Sequence, residues 1–178
     1  MVAHNFNGEG TYSSVYEFYS CVLPSLFDAP TRVTSTSSTL EIEWAPPEET
    51  GGCTITGYAV FIDDGTGSNN FEEANSANDL SIRNQPGLNR ATITTFDAAD
   101  VGQEFVVYLT TYTEAGDSTD SEHATIVLGD VPSVPLVAPY KDATSSDGSR
   151  LLIRYDALTS SEHRGLEVQS YSLEIDDG

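Results

Sequence analysis

The sequence predicts an all-β chain folded as an antiparallel sandwich, and three observations carry that prediction. The first is alternation between Thr39 and Gly65. Leu40, Ile42 and Trp44 share one face with Glu41 and Glu43 opposite, and Tyr58, Val60 and Ile62 repeat the pattern before Asp63-Asp64-Gly65. Period-two alternation bounded by turn residues marks a half-buried antiparallel strand. The second is the regular return of turn signals, which leaves room for about seven short strands in about 100 residues, the proportions of a sandwich. The third is the lack of any amphipathic helical period of useful length.

Taken in order, residues 1–20 read as a strand end, a tight turn at Gly8 and Gly10, and a return strand at Val15-Tyr16-Glu17-Phe18-Tyr19. A linker with Pro24 and Pro30 follows. Proline fixes φ and donates no hydrogen bond, which suits a short, stiff connection. Strands are then expected near Arg32–Thr36, Leu40–Trp44, Ile55–Asp63, either Phe71–Glu73 or Leu80–Arg83, Ala91–Phe96, Phe105–Thr113 and Glu122–Leu128. A second proline linker, Val131-Pro132-Ser133-Val134-Pro135, precedes a restart. There Leu151, Ile153 and Tyr155 lead to Tyr171, Leu173, Ile175 and another Asp-Asp-Gly at residues 176–178.

The chain therefore repeats. Pro24 and Pro132 stand 108 positions apart, as do Gly8 and Gly116, while Trp44 and Tyr155 are 111 apart and Tyr58 and Tyr171 are 113 apart. The drift between spacings reads as small loop insertions, which a tandem array tolerates.

The middle segment resembles a fibronectin type III domain. The residues that carry the resemblance are Trp44 followed by Pro46-Pro47, then Gly57-Tyr58-x-Val60, then Phe96 to Gly116, with Phe105, Val107, Leu109 and Thr111 on the buried face. It departs from the family pattern at Phe96 where leucine is usual, at Phe105 where the tyrosine corner has tyrosine, and at Thr113 where asparagine is usual. Residues 3–13 match the closing A-x-N-x-x-G-x-G-x-x-S of the same pattern. The resemblance implies immunoglobulin-like antiparallel sandwiches. Residues 1–24 would be the last strands of one module, 25–131 a complete module, and 132–178 the first strands of a third. Met1 would then fall inside a strand and Gly178 at a hairpin tip, so the chain reads as an excerpt of a longer array. Strand addition between neighbouring chains is the alternative.

Charge narrows the partners. Seven Lys+Arg against 28 Asp+Glu give a formal net charge of -21. Such a field repels nucleic-acid phosphate and anionic lipid, so neither is expected as a partner. No apolar run is long enough to span a membrane, and the N-terminus has neither the basic start nor the apolar core of a signal peptide.

Cys21 and Cys53 are the only cysteines. One precedes the first linker and the other lies in a Gly-Gly-Cys loop, near where a preceding module would dock. Gly129 and Leu166 occupy the corresponding places one repeat later, so the two cysteines disappear together. A pair that comes and goes as a unit suggests a disulfide between modules. The bond would close a loop worth about 3–4 kcal/mol and would imply an oxidising compartment, hence secretion or the cell surface. Two unrelated free thiols are the plain alternative.

Other polar residues read as ordinary surface. Asp-Gly at residues 64–65 and 177–178 is the chemistry of a tight hairpin turn. His4, His123 and His163 are scattered, without metal-site spacing. No serine sits in a nucleophile elbow, and neither Arg-Gly-Asp nor an Asn-x-Ser/Thr sequon occurs. A calcium site shared between modules remains open, because Asp28, Glu48, Glu49, Asp117 and Asp130 fall in linkers and loops. No cofactor is otherwise expected.

The resulting expectation is a non-catalytic structural module of a long tandem-repeat extracellular or surface protein, a stiff acidic spacer. Its partners would be neighbouring modules, like copies assembled into fibres, or glycans and surface proteins. The fold signature is Trp44, Tyr58, Val60, Phe96, Phe105, Val107 and Leu109. An adhesion or receptor ectodomain is the alternative, with Tyr12, Tyr16, Tyr19, Tyr108 and Tyr112 as candidate contacts. An accessory spacer of a larger enzyme is another.

Overall fold

A computed structural model describes residues 1–18, 20–74 and 80–176. Strands are β1 (His4–Asn5), β2 (Gly8–Glu9), β3 (Thr31–Ser35), β4 (Leu40–Glu43), β5 (Ile55–Ile62), β6 (Glu72–Glu73), β7 (Arg90–Ile93), β8 (Glu104–Thr113), β9 (Gly116–Asp117), β10 (Ala124–Val127), β11 (Tyr140–Lys141) and β12 (Ile153–Arg154). One short helix, α1 (Leu80–Arg83), crosses between β6 and β7.

Two antiparallel sheets face each other over residues 31–127. One has the order β3-β4-β7, the other β10-β8-β5-β6, with β9 folding back on the end of β8. Register places the apolar alternation of each strand against that of its neighbour. Leu40 pairs with Ile93 and Ile42 with Ala91 in the first sheet, and Val60 pairs with Leu109 and Ile62 with Val107 in the second. All of these side chains are buried, and Trp44, Tyr58, Phe96 and Phe105 close the core around them. Trp44 meets Tyr58 edge-on with ring centroids 5.3 Å apart, and Phe96 meets Phe105 in the same manner at 5.0 Å. Such edge-to-face pairs add to the area they bury.

Two expected strands do not form over the described residues, and one either/or is decided. Of the two alternatives for the fourth strand, Phe71–Glu73 is the one that forms, as Glu72–Glu73, and Leu80–Arg83 is helical. A short run with two apolar residues cannot be told helix from strand by period alone. Here Ile82 enters the core and Arg83 forms a two-pronged pair with Glu73 at 2.9 and 2.5 Å. The helix end lies so close to β5 that a Cβ on Gly57 would stand 1.8 Å from the Arg83 carbonyl oxygen. The return strand at residues 15–19 does not form over 15–18, and Tyr19 lies outside the described residues. Nor is there a strand at residues 171–175, and Asp177 and Gly178 are not described. Alternation supplies a face, but a strand also needs a partner ladder for its backbone groups.

The first residues nevertheless take a definite form. In β1–β2, His4 faces Glu9 and Asn5 faces Gly8. In β8–β9, Tyr112 faces Asp117 and Thr113 faces Gly116, each 108 positions later. The backbone bonds recur at the same spacing. Gly10 N–H donates to Ala3 O (2.8 Å) as Ser118 does to Thr111 (2.9 Å), and Ser13 to Met1 (2.8 Å) as Ser121 does to Leu109 (2.8 Å). Even the turn acceptors correspond, with Asn5 Oδ1 taking the Asn7 N–H and Thr113 Oγ1 the Ala115 N–H. Gly8 and Gly116 supply the positive φ of the two turns, 129° and 125°.

Candidate functional site

The feature least explained by core packing is the seat where residues 21–27 lie against the loop between β4 and β5. Val22 N–H donates to Gly51 O and Ser25 N–H to Glu49 O, both at 3.0 Å. The approach is close enough that a Cβ on Gly51, which has φ of 72°, would stand 2.1 Å from Val22 O. Cys21 and Cys53 are joined as a disulfide with Cα atoms 5.4 Å apart. Further on, Phe27 is buried in the core and its carbonyl accepts the Glu122 N–H at 2.9 Å. The first linker is thus tied to the sandwich by a covalent bond, backbone bonds and a buried ring. Phe27 was not singled out by sequence, and Gly51 only as part of the Gly-Gly-Cys loop. Their signals were an aromatic between two prolines and a Gly-Gly directly before a cysteine.

The Asp-Asp-Gly turn is structural. The buried Asp63 carboxylate accepts N–H groups from Val106 (2.8 Å) and Gly65 (3.3 Å) across the end of β5. Asp64 accepts from Thr66, through hydroxyl and backbone, and from Ser68. The Thr66 bonds hold its carboxyl below the usual range. Asp63, Asp64, Glu72 and Glu73 line a cavity of about 280 Å³, but Asp63 and Glu73 are already engaged. Among the described residues, no group of three or more His, Cys, Asp or Glu is placed to hold a metal. Of the loop carboxylates, Asp130 is paired with Arg164 at 2.6 Å.

The aromatic candidates divide. Tyr12 and Tyr16 are exposed. Tyr108 is stacked between Phe61 (5.0 Å) and His123 (4.8 Å), with Phe71 edge-on to it at 4.9 Å. Tyr112 lies under the Arg83 guanidinium, 4.8 Å from the ring centroid, and burial pushes its hydroxyl above the ordinary value. His4 and His123 are exposed, and His163 Nε2 lies 3.1 Å from Leu158 O. No helix among the described residues is long and apolar enough to cross a membrane.

Comparison with known proteins agrees with this geometry. The profile of the fibronectin type III domain matches residues 28–127. No curated protein sequence matches the chain. Among solved structures, the solution structure of a human fourth fibronectin type III domain is 23% identical, with a TM-score of 0.50, covering 67% of this chain and 91% of that one. Titin module A71 from human cardiac muscle is 27% identical at a TM-score of 0.46, covering 60% and 92%. Domains A168–A170 of titin are 15% identical at a TM-score of 0.48, covering 59% of this chain and 32% of theirs. The chain thus spans about a third of that three-domain structure.

Proposed function

The chain belongs to the fibronectin type III domain family, and from that premise we propose that it is a non-catalytic structural segment of a long extracellular or surface rod built from tandem modules. Residues 1–24 end one module, 25–131 make the next, and 132–178 begin a third. The observation that carries this reading is the bond-for-bond likeness of the β1–β2 hairpin to β8–β9, 108 positions apart. A short segment with no sandwich of its own has no reason to copy a module's closing hairpin unless it closes one.

The work of such a segment is spatial. Proline linkers limit bending, the Cys21–Cys53 bond ties the incoming linker to the module it enters, and the net charge of -21 keeps the rod soluble and extended by self-repulsion. The disulfide supports an oxidising compartment, hence the cell exterior. Neighbouring modules are its first partners, with lateral assembly into fibres as a second level.

Small-angle scattering of the natively isolated protein tests the rod. An elongated particle whose maximum dimension grows with module number is expected, and a compact particle overturns it. Non-reducing peptide mapping of the same material tests the compartment. Free thiols at both cysteines would remove the argument for secretion. A second reading, an adhesion domain that binds a glycan, is favoured by the outer sheet face, where Phe61 and His123 flank Tyr108 and His123, the end ring that Tyr108 props, is exposed, because sugar rings stack on exposed aromatic faces. Loss of glycan-array binding on Tyr108→Ala, in a protein that remains folded, would support it.

A further inference from the structure

The seat beside Cys21 and Cys53 has a second copy further along the chain. Asp130 N–H donates to Arg164 O and Ser133 N–H to Glu162 O, both at 2.9 Å. These bonds repeat Val22 to Gly51 and Ser25 to Glu49. Every incoming residue is displaced by 108 positions and every loop residue by 113, so serine donates to glutamate in both seats. The backbone follows. Gly52 and Gly165, also 113 apart, share a φ of 91°. A Cβ on Gly52 would lie 3.9 Å from Ser20 O, and one on Gly165 would lie 2.6 Å from Leu128 O, again 108 positions on.

By the same two spacings Cys21 corresponds to Gly129, and Cys53 to Leu166. A Cβ built on Gly129 would stand 3.4 Å from Leu166 Cβ but only 2.3 Å from its Cγ. The first distance is close to the Cβ–Cβ separation across a disulfide. The second means that the leucine side chain fills the space where the second sulfur would sit. Gly129 is absent from the positive-φ residues, so its backbone accepts a side chain. The second seat also has something the first lacks. Arg164 reaches back to Asp130 at 2.6 Å, and the corresponding residues of the first seat, Gly51 and Val22, carry no charge.

We propose that both seats are one repeated docking element, by which each module receives the linker of the module before it in a single fixed pose. The position pair 21/53 or 129/166 is the interchangeable lock. One seat is closed by a disulfide, the other by leucine packed over glycine with an ion pair beside it. Its partner is the next module of the same chain, and in that respect the inference rests on the tandem reading above. A rod with both kinds of seat keeps one geometry throughout, yet only some of its joints respond to reductant.

The test is the full chain carrying Gly129→Cys and Leu166→Cys, oxidised and mapped without reduction. A crosslink between positions 129 and 166, beside the intact Cys21–Cys53 bond, is expected. Free thiols at 129 and 166, or scrambling with Cys21 and Cys53, would overturn the shared pose. Should that variant not fold, Gly129→Ala serves. Its added methyl meets Leu166, so amide exchange at Asp130 and Ser133 should accelerate at least tenfold while Val22 and Ser25 stay unchanged. Adding Leu166→Ala should restore slow exchange. Unchanged exchange in Gly129→Ala would count against the seat. A crosslink that forms in a protein whose scattering is compact would leave the seat standing and sink the rod.

Discussion

Two stretches of this chain carry the same alternation and meet opposite fates. In β4 and its extension, Leu40 and Ile42 are 0% exposed and Trp44 is 5% exposed. Their counterparts 111 positions on include Leu151 at 58% and Tyr155 at 54%. Both stretches belong to hairpins, β3 with β4 and β11 with β12. The difference is that β4 is also bonded to β7 and faces a second sheet, while β12 has neither among the described residues. Alternation therefore encodes which face can be buried, and the opposing sheet decides whether it is. The stabilisation follows the apolar area removed from water, not the pattern that made removal feasible.

The sharpest way to break this comparison is truncation on each side. Leu40→Ala should cost about 2–5 kcal/mol, the range for emptying a packed leucine site. Leu151→Ala should stay within about 0.5 kcal/mol, as exposed positions do. Denaturant unfolding followed by fluorescence of Trp44, the single tryptophan, reads both. Equal losses would mean that residues 132–176 hold a core of their own.

A second contrast lies in the two Asp-Asp-Gly sequences. Asp63 is buried and its Oδ1 satisfies the Val106 and Gly65 amides, whereas Asp176, 113 positions on, is exposed. Asp63→Ala strands the part-buried Val106 N–H and should cost about 1–3 kcal/mol. Asp176→Ala should leave stability within about 0.5 kcal/mol. If the two variants melt alike, Val106 has found another acceptor and the turn is not what orders that end of β5.

What the sequence made legible follows the same division. The seven strands expected over residues 31–128, the fourth in its Phe71–Glu73 form, lie within two or three positions of those observed, because each has turn residues and a partner and all but the fourth have alternation. The family signature from Trp44 to Leu109 was readable for the same reason, since those residues face one core. Residues 15–18 and 171–175 looked equally strand-like yet form no ladder. Pairing is a property of two segments, and a window on one of them cannot see it. The choice between Phe71–Glu73 and Leu80–Arg83 was not legible for another reason, because a single helical turn has too few residues to show a period. The seat of residues 21–27 was half legible. The paired loss of two cysteines pointed to it, but the backbone bonds from Val22 and Ser25 leave no mark on residue type. Only the glycine at 51, which must admit a carbonyl at contact distance, is written in the sequence.

The smallest effect separates the two hairpins by acid. The β3–β4 turn is closed by neutral groups, with Thr36 Oγ1 accepting the Thr39 N–H at 3.1 Å. The β11–β12 hairpin is held by Asp142, which accepts from the Thr144 hydroxyl (2.7 Å), the Thr144 amide (2.9 Å) and Arg154 Nε (2.6 Å). The Thr144 bonds first, then Arg154, lower its carboxyl from 3.8 to about 2. A carboxyl depressed on folding contributes stability that is whole above its unfolded value and lost as pH falls through the folded one. Between pH 3.8 and about 2, the Thr144 amide and Arg154 Nε–H resonances should therefore shift together while the Thr39 amide stays still. Asp142→Asn should abolish the titration at Thr144 and weaken protection of the Asp142 N–H to Leu152 O bond. Parallel titration of Thr39 and Thr144 would show that the two hairpins share one acid-sensitive unit, and that the comparison between them does not hold.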